Sequence, residues 1–453
     1  MLSIALYSNH SMAQSLESAV ATALDTHPQV KQAFARFKSK EEEVNAASAG
    51  YLPTIDLTAG YGYEYVDSPG QRRAALGFSD GKTELRRGEF GLSLRQVLFD
   101  GMLTFSDIDR TTFEASAEQW TLLSTAEDLA LEVSKVYLNY IKADQLVTLS
   151  QKNVVSHKDI LDQIQQRTDS GVGSIADLSQ AKGRLARAQS NLIASKNNRL
   201  DARAQFIRLT NTEPRALVMP VPDARMLPKS KAAGLQLAID QHPVIKSARQ
   251  DINAAYSFKD TIKASYYPTL SLELEANFDN DINGEAGLNR LGDNVGGHRN
   301  DARAMIRLRY NLFSGGKDIA LEKSAAYKVS EAKEINYSAH RQVTEGLGLA
   351  WNAFEMLQLQ KQYIKEHIIT SKDTQIAYKQ QFTLGQRNLL DLLDTENELF
   401  QARKDYLDAY FDEIASRYRL LNVTGQLLAS LRVTTSSLWQ GELEYEQGVE
   451  NAK

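Results

Sequence analysis

Ala23-Leu24-Asp25-Thr26-His27-Pro28-Gln29-Val30-Lys31 returns as Ala238-Ile239-Asp240-Gln241-His242-Pro243-Val244-Ile245-Lys246, five of nine positions identical, at an offset of 215. Working outward, Ala49-Gly50-Tyr51-Leu52-Pro53-Thr54 returns as Ala264-Ser265-Tyr266-Tyr267-Pro268-Thr269 at the same offset. Arg95-Gln96-Val97-Leu98-Phe99-Asp100-Gly101 returns as Arg309-Tyr310-Asn311-Leu312-Phe313-Ser314-Gly315, now at 214, so one residue was lost between the two matches. A half-chain written twice predicts two similar half-structures in one assembly. For 453 residues, length alone would suggest about three domains. The duplication replaces that with two repeats, 14–213 and 235–437, a linker at 214–234 and a polar tail at 438–453.

The formal net charge of −5 and the lack of a basic patch argue against a nucleic-acid partner. With no cysteine, disulfides, thiolate metal sites, cysteine nucleophiles and a lipidated cysteine are excluded. No apolar run reaches the about 18 residues that a membrane-spanning helix needs. At the N-terminus the apolar run Leu2–Tyr7 and the small-residue pattern Ser11-Met12-Ala13 read as the tail of a signal peptide over 1–13.

Five of the nine prolines (Pro214, Pro220, Pro222, Pro228, Pro243) lie between 214 and 243, while 70–213 and 269–453 have none. Long helices need that freedom, because an interior proline costs about 3 kcal/mol. Leu122, Ala126, Leu129, Val133, Val136, Tyr140, Ala143, Val147, Ser150, Val154, His157, Leu161 and Ile164 follow alternating steps of four and three, a heptad seam softened at Ser150 and His157. A second seam runs through Val343, Leu347, Ala350, Phe354, Leu357, Ile364 and Ile368. A helix from about 102 to about 168 would be roughly 100 Å long. Gly171 and Gly385 end the two rods, and helices over about 174–210 and about 388–430 return, which makes each half a long helical hairpin.

Other segments alternate with period two. Ile55, Leu57, Ala59, Tyr61, Tyr63 and Tyr65 share a strand face; Leu270, Leu272, Leu274, Ala276 and Phe278 share the matching one, against Ser271, Glu273, Glu275 and Asn277. The returning strand sets Ala302, Ala304, Ile306, Leu308, Tyr310 and Leu312 against Arg303, Met305, Arg307, Arg309 and Asn311. Loops rich in Gly, Asp and Asn are expected at 66–88 and 279–301. A tyrosine-rich apolar face against a charged one, in strands of about ten residues, fits a membrane barrel with a wet lumen. A half-buried soluble sheet has the same alternation, but the tyrosines near the strand ends favour the membrane. Four strands cannot close a barrel and open edges cannot face lipid, so closure requires further copies of the chain.

The doubled order of helix, Tyr-x-Pro, strand, loop, strand, Leu-Phe-x-Gly and helix resembles the TolC family of outer-membrane channels over about residues 15–435. So do the hairpin signatures Phe382-Thr383-Leu384-Gly385-Gln386-Arg387-Asn388-Leu389-Leu390-Asp391-Leu392-Leu393-Asp394 and Gly171-Val172-Gly173-Ser174-Ile175-Ala176-Asp177-Leu178. The resemblance implies a mainly α fold with β, internally duplicated. It implies a homotrimer whose twelve-stranded outer-membrane barrel continues into a coiled-coil helical tunnel through the periplasm, with the 211–242 connector and the C-terminal part at the tunnel's equator. Implied partners are a periplasmic adaptor, an inner-membrane ABC transporter or proton-driven pump, outer-membrane lipid and the exported substrate. The absence of cysteine sets the chain apart from the lipid-anchored drug-efflux branch, and its overall look resembles the type I protein-secretion branch, which implies export of a large adhesin-like or repeat-rich protein. Small-molecule efflux is the alternative within the class, and a pore-less coiled-coil structural or adhesive protein is the alternative outside it.

By the same resemblance, Asp391 and Asp394 are the paired carboxylates of a periplasmic gate, Arg387 ties neighbouring hairpins together, and Asp177 is its acidic partner. Gly171, Gly173, Gly385, Leu389 and Leu390 form the hairpin tips that meet the adaptor. Read as residues alone, Asn388 with Asp391 and Ser174 with Asp177 are equally helix N-caps with acidic first turns. Phe382 and Ala176 stand where the family commonly has hydroxyl residues, which weakens the expected closed-state network. Arg303, Arg307 and Arg309 either tune ion selectivity or pair with Glu273 and Glu275 as lumen wall; the wall reading is preferred. Gly171-Val172-Gly173-Ser174-Ile175-Ala176 formally fits a dinucleotide fingerprint but follows a helix. Gly315-Gly316-Lys317 lacks phosphate-loop spacing, and His27-Pro28 and His242-Pro243 open helices. No catalytic residue, cofactor or metal is expected.

Overall fold

The computed structural model describes residues 13–67, 82–282 and 297–440, except the side chains of 66, 67, 82–85, 281, 282 and 440. The expected signal-peptide segment 1–13, apart from Ala13, and tail residues 441–453 lie outside the described residues. Two compact units result: a helical one (1–39, 116–250, 334–453) and one that holds the sheet (40–115, 251–333).

The elements repeat with the register read from the sequence. Helices α1 (Leu16–Thr26) and α2 (Pro28–Ser48), a 3-10 turn at Ala49–Tyr51, strands β1 (Thr54–Asp67) and β2 (Lys82–Phe99), and helices α3 (Leu103–Asp169) and α4 (Ile175–Thr210) form the first copy. The second comprises α5 (Lys231–Gln241), α6 (Pro243–Lys263), a 3-10 turn at Ala264–Tyr266, β3 (Thr269–Ile282), β4 (His298–Arg309), α7 (Lys317–Thr383) and α8 (Leu389–Val423). The short helix α9 (Leu427–Ser430) follows. The two long helices have 67 residues each. Ser15 and Ser230 cap α1 and α5 alike, each hydroxyl accepting a backbone N–H at 3.2 Å. Pro28 and Pro243 occupy the first helical position, where a missing N–H costs nothing.

Four boundaries differ from the sequence reading. The linker is shorter than 214–234, because Ser230 caps a helix that begins at Lys231. The last return helix ends at Val423 rather than about 430, since Gly425 adopts φ +68° and its N–H bonds back to the Asn422 carbonyl. The strands, of 12 to 18 residues, extend into both segments expected as loops (66–88 and 279–301), where ladder pairing outweighs the Gly, Asp and Asn content. β4 stops at Arg309, so Tyr310 and Leu312 lie beyond it.

The sheet order is β1-β2-β3-β4, antiparallel throughout. Register aligns Ile55, Leu94, Leu274 and Ala304 in one cross-strand row and Leu57, Leu92, Ala276 and Ala302 in the next. Ile55, Leu57, Tyr61, Tyr63, Ile306 and Leu308 of this face are exposed within the chain. Rows on the opposite face are polar: Asp56, Ser93, Glu275 and Arg303 are one of them. Among the described residues β1 and β4 each have one strand neighbour, leaving two open edges.

In the helical unit, Leu16, Val20, Phe37, Leu122, Leu129, Tyr137, Phe206, Tyr418 and Leu421 share one core. Connector residues Leu217, Met219 and Leu227 and C-terminal Val433 and Trp439 pack against it. The Tyr137 hydroxyl lies 2.7 Å from both the Gln14 and Val218 carbonyl oxygens, tying α3 to the N-terminus and the connector. Along α3 the seam is buried at Leu122, Ala126, Leu129, Val133, Ala143, Val147, Ser150, His157 and Ile164. Its soft Ser150 layer is satisfied by a 2.9 Å bond to the Ser195 hydroxyl of α4.

His242 closes α5 and opens α6. Its Nδ1 accepts the Val244 N–H at 3.3 Å, and burial pushes its pKa down to about 4. Unfolding restores an ordinary imidazole near 6.5, so the unfolded chain binds the extra proton. This residue's own contribution is therefore complete above about pH 6.5 and falls by up to about 3 kcal/mol as pH drops toward 4; buried Glu127, pushed up to about 8, changes in the opposite sense over the same range. Thermal unfolding in detergent at pH 7.5 and 4.5, compared between the parent and His242→Gln so that other titrating groups cancel, should show the parent losing more stability on acidification than the variant.

Candidate functional site: the hairpin tips

Both hairpins turn by the same device. Gly171 (φ +74°) and Gly385 (φ +73°) supply the left-handed residue that ends each long helix. The Gly171 N–H bonds to the Thr168 carbonyl at 3.0 Å and that of Val172 to Arg167 at 3.0 Å; Gly385 to Phe382 at 3.0 Å and Gln386 to Gln381 at 2.9 Å repeat the pattern. Gly173 serves packing instead: a Cβ there would meet the Thr168 backbone nitrogen at 2.7 Å. The return helices are capped as the residue pattern allows. The Ser174 hydroxyl accepts from the Ala176 N–H at 3.1 Å, and Asn388 Oδ1 accepts from the Asp391 N–H at 2.8 Å.

Ile160, Ile164 and Ala181 of the first hairpin join Phe382, Leu389, Leu392 and Leu393 of the second in a small core, flanked by Leu161 and Leu178. The Arg167 guanidinium lies 4.9 Å from the Phe382 ring centre, a cation–π contact between the hairpins. Phe382, which lacks a hydroxyl for the expected polar network, holds the hairpins together by packing.

Charges surround this core. Arg387 stacks 4.1 Å from the Tyr378 ring centre, donates from Nε to Gln381 Oε1 at 2.9 Å and reaches Asp391 at 3.4 Å, all on its own hairpin. Within the chain it does not bond Asp177, which sits half-buried in the first turn of α4. At the tips an ionic link joins the hairpins, Arg184 of α4 to Asp394 of α8 at 2.8 Å; farther along, Lys142 of α3 meets Asp408 of α8 at 3.2 Å. Asp391 is thus both the first-turn acid of a capped helix and an arginine partner. Beside Arg184, His157 is buried with Nδ1 unpartnered, and burial together with the nearby guanidinium holds its pKa below the ordinary value.

The expected adaptor-contact leucines separate. Leu390 is 43% exposed but Leu389 is 3% exposed and belongs to the core, because Leu389 shares the i, i+3, i+4 stripe with Leu392 and Leu393 while Leu390 falls outside it. Val172, Ile175 and Leu384 are exposed at the turns instead. Arg167, Arg184 and Tyr378 were not anticipated. Heptad counting could have found Arg184: it lies seven residues after Asp177, on the same helical stripe.

In the sheet unit, the strand arginines largely make the ion pairs that a wall requires. Arg307 meets Glu273 at 2.6 Å, and Arg303 meets Glu275 and Asp301 at 3.5 Å each. Arg87 adds Glu64, Glu89 and Asp279 to the same lattice. Arg309 stands opposite Thr269 at the strand end.

Comparison with known proteins agrees with this architecture. The family described as Outer membrane efflux protein matches residues 19–212 and 234–426, one segment per copy. Outer membrane efflux protein BepC of Brucella suis is 22% identical over 418 residues, 92% of this chain and 87% of that protein. Outer membrane protein TolC of Vibrio cholerae is 22% identical over 420 residues, 92% and 91% respectively. Alkaline protease secretion protein AprF of Pseudomonas aeruginosa is 23% identical over 363 residues, 78% and 72%. Among solved structures, the Campylobacter jejuni CmeC outer membrane channel superposes with a TM-score of 0.77 at 15% identity, covering 91% of this chain and 86% of that one.

Removing the Phe382 ring should cost about 3–5 kcal/mol locally, the range for large-to-small core changes. Phe382→Ala should therefore speed amide exchange over 385–393 by orders of magnitude while exchange around Tyr137 and Phe206 stays unchanged.

Proposed function

Because the chain belongs to the Outer membrane efflux protein family over both of its copies, we propose that it works as the exit duct of a tripartite export system, without chemistry of its own. Outer-membrane location and channel architecture come with the family. The observation that carries the duct reading is the sheet: an exposed apolar face, an ion-paired polar face and two open edges. Three copies of a four-stranded sheet supply twelve strands, enough to leave a lumen rather than a filled barrel. In that homotrimer the apolar rows face outer-membrane lipid and the polar rows face water.

The tips act as the gate. Each pair of exposed charges is individually worth about 1 kcal/mol or less, so closure depends on several links repeated across the trimer. Arg387 and Asp177, unbonded to each other within one chain, are available to bond between chains. A periplasmic adaptor would contact the exposed apolar residues Val172, Ile175, Leu384 and Leu390 and open the tips. Energy comes from an inner-membrane ABC transporter or proton-driven pump.

For the cargo, the proposal is a large protein delivered by type I secretion. The similarity to AprF, a secretion protein by name, supports this. Small-molecule efflux is the second reading, favoured by the similarity to BepC, an efflux protein by name. A deletion strain separates them. Loss of a large protein from the secreted fraction, with unchanged drug susceptibility, is expected; drug hypersensitivity with an intact secreted fraction would favour efflux. In planar bilayers, Arg387→Ala and Asp177→Ala should each raise single-channel conductance, and unchanged conductance in both would remove them from the gate.

A further inference from the structure

We infer that Arg184 sets the charge of the tip: it compensates Asp394, as Arg387 compensates Asp391, so the gate carboxylates do not form a bare cation trap. This rests on the duct reading above, which puts the tips around the bore. Repeated three times around a bore, the two acids alone would be carboxylate rings that attract cations. The structure adds a guanidinium to each carboxylate.

The two acids lie three residues apart on the side of α8 away from its buried leucines, Leu389, Leu392 and Leu393. Asp394 is 58% exposed, but its Oδ1 accepts from the Arg184 Nη2 at 2.8 Å. Arg184 comes from the other hairpin and is only 25% exposed, so the cation is the better-held partner. Its buried neighbour is His157, whose imidazole burial and the Arg184 charge push toward the neutral form. Asp391 has its own guanidinium, Arg387, anchored by Tyr378 and Gln381.

A carboxylate paired with a guanidinium acts on passing ions as a dipole. Its field falls away within a few ångströms, whereas a bare charge reaches about a Debye length, ~8 Å at physiological salt. Threefold repetition would amplify a bare ring but cancels for paired charges. The weak stabilisation of an exposed pair does not matter here; the compensation of charge does. Arg184 is therefore a positioning and selectivity residue. Its loss should convert a weakly selective tip into a cation-selective one.

The test is ion selectivity of the purified, trimeric full-length protein in planar bilayers under a KCl gradient, with La3+ on the periplasmic side as a probe of bare carboxylates. Arg184→Gln should raise the K+/Cl− permeability ratio at least roughly twofold and make the channel more sensitive to La3+. Asp394→Asn, which leaves the arginine unmatched, should move the ratio the other way. The double variant should return to the parent value, and Arg184→Lys should stay near it. If Arg184→Gln leaves both readouts unchanged, or if the two single variants shift the ratio in the same direction, the inference is wrong. Should Arg184→Gln not assemble, Asp394→Asn decides alone: a ratio carried past neutrality to anion selectivity by the unmatched guanidinium supports the compensation, and a ratio that only falls from cation selectivity toward neutrality, or does not fall, refutes it. A parent protein that conducts no ions would instead overturn the duct reading itself.

Discussion

The two unpaired edges of the four-stranded sheet constrain everything else. Among the described residues, backbone N–H and C=O groups along β1 and β4 have no strand partner on their outer sides, and one face of the sheet between them is apolar. In lipid each such group would cost several kcal/mol, and a whole edge on the order of tens, against a typical net folding stability of about 5–15 kcal/mol. A lone chain cannot keep that sheet in a membrane. Edge-to-edge pairing with further copies satisfies the backbone groups and leaves the apolar rows as the outer surface. The apolar rows argue for lipid because they are continuous across all four strands, which the register alone produces.

Duplication meets that constraint economically in sequence terms. The copies agree in helix lengths, in serine caps, in His-Pro junctions and in the glycine that ends each long helix. Such agreement gives near-equivalent walls around an axis. Where the copies differ, they complement one another. The second hairpin contributes Phe382, Asp391 and Asp394, and the first contributes Arg167 and Arg184, which meet Phe382 and Asp394. Sequence divergence after duplication has turned two like hairpins into an interlocking pair.

Much of this fold was legible in advance because its signals are periodic. The 215 and 214 offsets reappear as matching element boundaries, and the heptad seam reappears as the buried stripe of α3. Period-two alternation identified the strand faces but not their length, since pairing carries strands through residues of low β-propensity. The ends at Gly171 and Gly385 were legible, but that of α8 was not, because Gly425 stops it inside a stretch that otherwise keeps a helical pattern. At the tips, single-residue chemistry identified caps and glycines, which act locally. Partners such as Arg184 with Asp394, 210 positions apart in the chain, depend on how two hairpins pack, and no local pattern encodes that. Leu389 and Leu390 show the same limit: equal in type, they are divided by helix phase into core and surface.

The central claim is that β1 of one copy pairs with β4 of the next. The sequence contains no cysteine, so single cysteines introduced into the outer edges of β1 and β4 report on that contact without background. Oxidative cross-linking of a set of such double-cysteine proteins in membranes should give, at pairing positions, a ladder that stops at the covalent trimer. A ladder that ends at a different number, or chains that remain monomeric at every position, would contradict the account.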